Sequence, residues 1–183
     1  MSWSASYEDL IELVKRRFGA SIGEDQIARA RATFRISWKS SIDVARAIRG
    51  LTVEQAKQYL EDVAAGRSPV PVKGHDKKRA HHPVPWRGWP AARWPRKAAL
   101  AYLELLESLE GNCTYKGLNT SNSVIIHASS SKGAKIPGYM PRAFGRSSPW
   151  NNYEVNVEIA AAELPEELVP KKLSHKRILK NKY

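Results

Sequence analysis

The positive charge of this chain is concentrated in three stretches that cannot build a core of their own. Residues 66–97, 131–148 and 171–183 together carry a net charge of +18, whereas the whole chain of 183 residues carries +12. The remaining 120 residues are therefore net −6, the balance of an ordinary acidic globular body. This segregation predicts basic arms on a folded body, and a polyanionic partner whose surface is too large for one pocket.

Composition narrows the class of protein. Hydrophobic residues make up 42% of the chain, which is enough for one packed domain outside the arms. No apolar run approaches the ~20 residues that a membrane-spanning helix needs. The early acids Glu8, Asp9 and Glu12 argue against a secretory or mitochondrial leader. A single cysteine, Cys113, excludes an internal disulfide and fits a reducing compartment.

Local signals predict four helices. Ser6 with Asp9, and Thr52 with Gln55, have the spacing of capping boxes, and apolar residues recur at helical spacing after each pair. Glycines mark the predicted ends, the last of them at Gly111. The predicted helices span about residues 6–18, 41–49, 52–65 and 95–110.

Alternating hydrophobicity over two segments and a short apolar run in a third predict three strands. Large apolar residues alternate strictly with polar ones over residues 33–38, which predicts a half-buried strand. Residues 123–128 and 153–159 predict two more. The 24 residues between these two, 129–152, contain three glycines and three prolines, and this punctuation predicts an extended, bent ribbon.

The first basic arm combines aromatic rings with charge. Residues 66–97 contain six prolines, so neither a helix nor a sheet can propagate through them. Trp86, Trp89 and Trp94 stand beside arginines, so the rings can stack on unpaired bases while the guanidinium groups reach phosphates. The alternative is that the rings pin this arm onto the helical body, and the sequence leaves both readings open.

Nothing in the sequence predicts catalysis or membrane binding. His75, His81 and His82 lack the further ligands that a zinc site needs. The chain has no GxSxG, GxGxxG or GxxxxGK[ST] motif. No arm forms the amphipathic helix with a bulky apolar face that a membrane-surface protein uses. We therefore predict no enzyme, no cofactor, no metal and no membrane, and nucleic acid as the partner.

Two motifs carry a family resemblance. Residues 92–98 read Ala-Arg-Trp-Pro-Arg-Lys-Ala, and residues 142–146 read Arg-Ala-Phe-Gly-Arg. With the order of predicted elements from about Arg29 to Glu163, they resemble one universal large-subunit ribosomal protein family, called L twenty-two in bacteria and L seventeen in eukaryotes. The Trp-rich insertion resembles the archaeal and eukaryotic branch. Phe144 stands where that family commonly has histidine.

The resemblance implies an α+β fold, namely a small antiparallel three-stranded sheet packed on about three helices, with a long protruding β-hairpin and basic extensions. We expect an N-terminal helical extension over residues 1–28 and a basic C-terminal tail over 164–183. Between them we expect the ribosomal domain, 29–163, with its basic insertion at 66–94 and its hairpin at 124–159.

The function that the resemblance implies is structural. The protein would be a constituent of the large ribosomal subunit in the cytoplasm, binding rRNA, aiding subunit assembly and lining the nascent polypeptide exit tunnel with its hairpin loop. Its partners would be large-subunit rRNA, neighbouring ribosomal proteins and the nascent polypeptide. The alternative from a different class is a free-standing RNA-binding regulator or RNA chaperone.

Charge and resemblance together assign two sets of residues. The predicted tunnel-lining residues are Lys135, Ile136, Pro137, Gly138, Tyr139, Met140, Pro141 and Arg142. The predicted rRNA-binding residues are Arg35, Lys39, Lys73, Lys77, Lys78, Arg79, Trp86, Arg87, Trp89, Arg93, Trp94, Arg96, Lys97, Lys132, Lys135, Arg142, Arg146, Lys171, Lys172, Lys176 and Arg177.

Overall fold

A computed structural model describes residues 3–73, 81–82, 84, 86 and 91–170 of the chain. Its helices and strands form an α+β domain. In chain order they are α1 (Tyr7–Phe18), β1 (Ile27–Phe34), α2 (Trp38–Ile48), α3 (Val53–Ala64), β2 (Val70–Pro71), β3 (Ala92–Arg93), α4 (Arg96–Tyr115), β4 (Ser123–Ile136), β5 (Tyr139–Pro141), β6 (Ser147–Pro149) and β7 (Asn152–Glu163). None of the described helices is long and apolar enough to cross a membrane.

The main sheet of the described chain has three antiparallel strands in the order β1–β7–β4. The strand that comes last in the sequence therefore lies in the middle. Its pairing with β4 continues out to Ile136 opposite Asn152, far beyond the end of β1. A bulge at Ile126 shifts the register of β4 between Ile125 and His127. The predicted fold class and the predicted hairpin are confirmed.

Helices α2, α3 and α4 pack on one face of this sheet and form the larger core. Tyr102 and Leu106 of α4 are fully buried there, with Ile125 and Val157 of the sheet. At the base of the hairpin, the Tyr102 hydroxyl donates to the Ser41 carbonyl at 3.0 Å, and burial raises the pKa of this tyrosine. The Ser130 hydroxyl donates to the Ser41 hydroxyl at 2.7 Å, which ties β4 to α2.

Helix α1 covers the other face of the sheet. Leu10 and Val14 pack against Val124 and Ile126 of β4 in a second core. The predicted capping box is confirmed, since the Asp9 N–H donates to the Ser6 hydroxyl at 3.1 Å and the Ser6 N–H donates to the Asp9 carboxylate at 2.9 Å. The pKa of Asp9 is lowered by a hydrogen bond from the Ser6 hydroxyl to the carboxylate at 2.7 Å, and then by the bond from the Ser6 N–H.

The predicted strand over 33–38 is wrong in its bounds, because the strand occupies Ile27–Phe34. Its inward residues include Ala28 and Ala30, which are small enough to let α4 approach the sheet closely but contribute little to a hydrophobic pattern. The apparent alternation beyond Phe34 crosses into the start of α2, where Ser37 is the N-cap residue and Trp38 is already helical.

Two helix boundaries also differ from the prediction. Helix α2 begins at Trp38 and not near Ser41. Helix α4 runs through Gly111 to Tyr115, because the left-handed residue that follows the helix is Gly117, with φ of 72°. The cap on α3 forms by one bond only, from the Gln55 N–H to the Thr52 hydroxyl at 3.2 Å. The Gln55 side chain donates instead to the carbonyl of Pro170.

Candidate nucleic-acid interface

The far part of the hairpin leaves the body as a two-stranded arm. None of residues 129–154, which we call the ribbon, is buried. From Lys132, paired with Val155, to the tip the ribbon spans at most about 36 Å at the usual rise per residue of a strand. No aspartate or glutamate occurs between Ser123 and Tyr153. The ribbon therefore presents backbone and cations and almost no negative charge.

The cations of the ribbon are available to an external anion. Lys132 and Lys135 are exposed on β4, and Arg142 and Arg146 flank the tip. The Lys132 ammonium lies 3.6 Å from the centroid of the Tyr153 ring. The Arg142 Nε donates to the Ser148 hydroxyl at 3.1 Å. Among the described residues, none of these four cations forms an ion pair.

Three ion pairs in the described part of the chain lie outside the ribbon. They join Arg67 with Asp62 at 2.7 Å, Arg31 with Glu158 at 3.5 Å, and Lys57 with Glu110. The ribbon, by contrast, carries four cations and no carboxylate before Glu154. An excess of one sign of charge on an exposed arm is typical of a surface that meets a partner of opposite charge.

The outer ribbon depends on a glycine. A β-carbon on Gly138 would lie 2.5 Å from the Trp150 carbonyl oxygen, so the backbone excludes any other residue there. The Trp150 N–H donates to the Gly138 carbonyl across this contact. The predicted tunnel-lining residues run from Lys135 along the leading strand and through β5 to Arg142. Tyr139, the one aromatic residue among them, is 75% exposed.

A cavity of about 500 Å³ lies where the ribbon meets the body. It brings together Arg35 and Lys97, two predicted rRNA-binding residues that are 62 positions apart. Their neighbours Trp38 and Tyr153 form aromatic walls, and Lys132 lies near both rings. The remaining lining residues are Ile36, Ser37, Ile136, Asn151 and Asn152.

The same cavity receives the N-terminal end of α2. The N-cap residue Ser37 makes no side-chain capping bond. The first N–H groups of α2, which carry the positive end of the helix dipole, therefore have no acceptor from the Ser37 side chain. With the two cations, this end can hold a phosphate, and the rings of Trp38 and Tyr153 can hold a base. Sequence reasoning missed both aromatic residues, because each was read as an alternating strand position.

The described part of the insertion packs onto the body. Trp86 is only 6% exposed, which favours the packing alternative for this ring. Trp94 meets His82 edge to face at 5.4 Å, and its Nε1 is buried without a hydrogen-bond partner among the described residues. Arg93 contacts His82 and donates to the Ala92 carbonyl at 3.1 Å. The Lys73 N–H donates to Asp43 at 3.3 Å.

Of the other predicted residues, Lys39 is exposed near the start of α2, and Arg96 is exposed at the start of α4. The remainder fall outside the described residues. These are Lys77, Lys78, Arg79, Arg87, Trp89, Lys171, Lys172, Lys176 and Arg177.

A second group of cations, on the α1 side of the sheet, is held by the chain itself. The Arg29 guanidinium lies 3.5 Å from the centroid of the Tyr7 ring and 5.3 Å from that of Trp3. Glu158, only 5% exposed, pairs with Arg31 and accepts from the Ser4 N–H and hydroxyl at 2.9 and 2.6 Å. We call this group the N-terminal latch, and its members are Trp3, Ser4, Tyr7, Arg29, Arg31 and Glu158. The Arg29 Nε and Nη2 are buried with no hydrogen-bond partner among the described residues, so the Tyr7 and Trp3 rings cover this charge without satisfying its donors. Because both guanidinium groups contact partners within the chain, we do not assign the latch to the interface.

His127 lies beside the latch, and its environment predicts that the stability of the protein depends on pH. Its Nε2 lies 3.1 Å from the Ser4 hydroxyl. Burial, and then the charge of Arg49, lower its pKa below the usual 6.5, and Glu158 only partly opposes them. A group whose pKa falls on folding contributes stability above its unfolded pKa, and this contribution is lost as the pH falls through the folded value.

Acidification from pH 7.5 to 5.5 should therefore lower the free energy of unfolding, and His127→Gln should remove part of that slope. Urea denaturation of both proteins at several pH values measures the difference. The matched control is His82→Gln, which replaces a histidine of the insertion outside the latch. Equal slopes in the wild type and His127→Gln would contradict the prediction.

Comparison with known proteins identifies the family of the chain. The family described as ribosomal protein L22p/L17e matches residues 29–162. The chain is 55% identical over 179 residues to the large ribosomal subunit protein uL22 of Caldivirga maquilingensis, covering 97% of both chains. It is 54% identical to that of Pyrobaculum calidifontis, covering 93% of both, and 44% identical to that of Archaeoglobus fulgidus, covering 75% of this chain and 90% of the relative. The chain therefore belongs to the ribosomal protein L22p/L17e family.

Proposed function

We propose that this chain is a structural constituent of the large ribosomal subunit in the cytoplasm, that it binds rRNA and aids subunit assembly, and that its ribbon lines the nascent polypeptide exit tunnel. In this proposal residues 29–163 form the ribosomal domain, and residues 1–28 and 164–183 are extensions of it. Its partners are large-subunit rRNA, neighbouring ribosomal proteins and the emerging polypeptide.

The observation that carries the proposal is the ribbon. Its exposed backbone and four cations have no counter-charge among the described residues, and none of its residues contributes to the core. An arm of this length gains order from a surrounding polyanion, since phosphates satisfy both its charges and its exposed N–H groups. A protein that worked alone would gain little from it.

The cavity at the base of the ribbon extends the proposed rRNA contact onto the body. Arg35, Lys97 and the N-terminal end of α2 supply positive charge to one small volume. Together with Trp38 and Tyr153, they favour a single nucleotide with its phosphate outward and its base against the rings. This site fixes the angle at which the ribbon leaves the body.

The tunnel contact is proposed for the leading strand of the outer ribbon. Between Lys135 and Arg142 the chain is uncharged and presents Ile136, Tyr139 and Met140. Charged residues at both ends hold this segment against RNA, and the uncharged segment between them meets a passing peptide without binding it strongly.

Sedimentation tests the ribosomal assignment. We expect a tagged copy of the chain to remain with the large subunit through a sucrose gradient at about 1 M salt, because an arm enclosed by folded RNA is not released by screening alone. Quantitative release as free protein would contradict the proposal and support the free-standing regulator.

Crosslinking tests the tunnel contact separately. A photoreactive phenylalanine analogue in place of Tyr139 should crosslink to a stalled nascent chain. The matched control is the same analogue in place of Tyr115, which is 92% exposed but lies on the body at the end of α4. Equal crosslinking at the two positions would contradict tunnel lining.

A further inference from the structure

The tip of the ribbon holds an aromatic residue in a backbone conformation that does not suit it. Phe144 has φ of 58° and ψ of 37°, and among the described residues it is the one non-glycine residue with positive φ. Gly145 follows with φ of 68°. The loop is closed by the Arg146 N–H on the Ala143 carbonyl at 3.3 Å and by the Arg142 N–H on the Arg146 carbonyl at 2.8 Å.

Two successive left-handed residues in a hairpin turn favour Asn-Gly, Asp-Gly or Gly-Gly, because a bulky side chain crowds the backbone there. Phenylalanine is thus a costly choice at position 144. It gains nothing from the rest of the chain in return, because its side chain is 99% exposed. Strain that no internal contact explains is typical of a residue held for an external one.

The surroundings of the ring indicate the chemistry of that contact. Arg142 and Arg146 lie on either side of it, both exposed, and no carboxylate occurs anywhere on the ribbon up to Tyr153. No other large apolar side chain lies beside the ring in the turn, so it does not form a hydrophobic patch for a protein partner. One exposed ring between two guanidinium groups matches an unpaired nucleobase with a phosphate on each side.

We propose that Phe144 is a stacking residue, which the strained turn holds against an unpaired base of the large-subunit rRNA while Arg142 and Arg146 contact the neighbouring phosphates. This inference rests on the proposed rRNA-binding function and adds a contact beyond the cations. In this arrangement the strained turn presents a ring that is 99% exposed and therefore free to stack on a base.

Substitution separates the ring from the turn. Phe144→Asn supplies the residue that the left-handed backbone favours and removes the ring, Phe144→Trp keeps a stacking ring, and Phe144→Leu keeps apolar bulk without one. The assay is the affinity of each full-length protein for protein-free large-subunit rRNA from the same organism. Asparagine and leucine should weaken binding by about tenfold, the size expected for one base stacked on one aromatic ring, and tryptophan should not.

Thermal unfolding of the free proteins provides the internal control. Phe144→Asn should leave the unfolding midpoint unchanged or raise it, because it relieves the left-handed strain. A variant that is at least as stable as the wild type but binds RNA more weakly cannot owe its defect to misfolding. Binding by Phe144→Asn equal to that of the wild type would overturn the inference.

Crosslinking in assembled particles tests the contact directly. Ultraviolet irradiation of purified large subunits, followed by nuclease and trypsin, should yield a nucleotide adduct on the peptide from Ala143 to Arg146. If a photoreactive analogue at position 144 instead attaches to the nascent polypeptide, and no nucleotide adduct forms, the ring faces a peptide and the inference fails. If the wild-type protein itself does not bind the rRNA, the proposed function fails as well. If the wild type binds and substitutions of Phe144 have no effect, only the inference about Phe144 fails.

Discussion

Replacing Lys132, Lys135, Arg142 and Arg146 together with glutamine is expected to reduce both the affinity for large-subunit rRNA and its dependence on salt. Each phosphate contact adds about 0.7–0.9 to the slope of log affinity against log salt. Four lost contacts would therefore flatten that slope by about 3. Between 50 and 200 mM salt, the wild type should lose about 50- to 150-fold more affinity than the quadruple variant.

A charge-matched control distinguishes the ribbon from net charge. Replacing Lys15, Arg16, Lys57 and Arg67 with glutamine removes four charges from outside the ribbon, where Lys57 and Arg67 already pair with Glu110 and Asp62. This variant should keep nearly the wild-type slope. If the two quadruple variants flatten the slope equally, RNA binding follows the overall charge of the protein and the ribbon is not the interface.

Replacing Arg31 with methionine is expected to destabilise the body by about 3 kcal/mol, because it leaves a buried carboxylate without its cation. Glu158 lies on the central strand directly opposite Arg31, at 5% exposure. We place the effect at the lower end of the range for buried pairs, since the Arg31 side chain is 19% exposed. Urea denaturation monitored by circular dichroism measures the loss.

Two further variants define the cause. Arg67→Met breaks the exposed pair with Asp62 and should cost no more than about 1 kcal/mol. The double variant Arg31→Met with Glu158→Leu removes both buried charges and should recover most of the stability lost in the single variant. Similar costs for Arg31→Met and Arg67→Met would show that Glu158 is solvated and that the latch is not a buried ionic site.

Much of the fold could be predicted because its signals are local. The capping box of Ser6 with Asp9 defines α1, and the apolar run before residue 129 with the alternation after residue 152 defines the hairpin. β1 could not be placed, because its alanines bury little area and owe their position to close packing beneath α4. The non-enzymatic function predicted from the absence of catalytic motifs agrees with membership of a ribosomal protein family.

Part of the candidate site could likewise be predicted from the sequence, and part could not. The cations of the ribbon could be predicted, since residues 131–148 carry four basic side chains and no acid. The cavity could not, because it exists only where Arg35, Lys97 and Tyr153 meet in the folded chain. The role of Phe144 was missed for a different reason. The sequence marks Phe144 only as a departure from the histidine common in the family, and its left-handed backbone is visible only in the structure.

Because β7 lies in the middle of the sheet, folding of the body must wait until this last strand has been synthesised. Both edge strands and α1 to α4 are synthesised before the strand that joins them, so neither core can close until residue 163 has left the ribosome that makes it. Because contacts this distant in sequence form slowly, the nascent protein must remain open for most of its synthesis. Residues 129–151 of the ribbon are synthesised before β7, so their cations are available to RNA before the body can close.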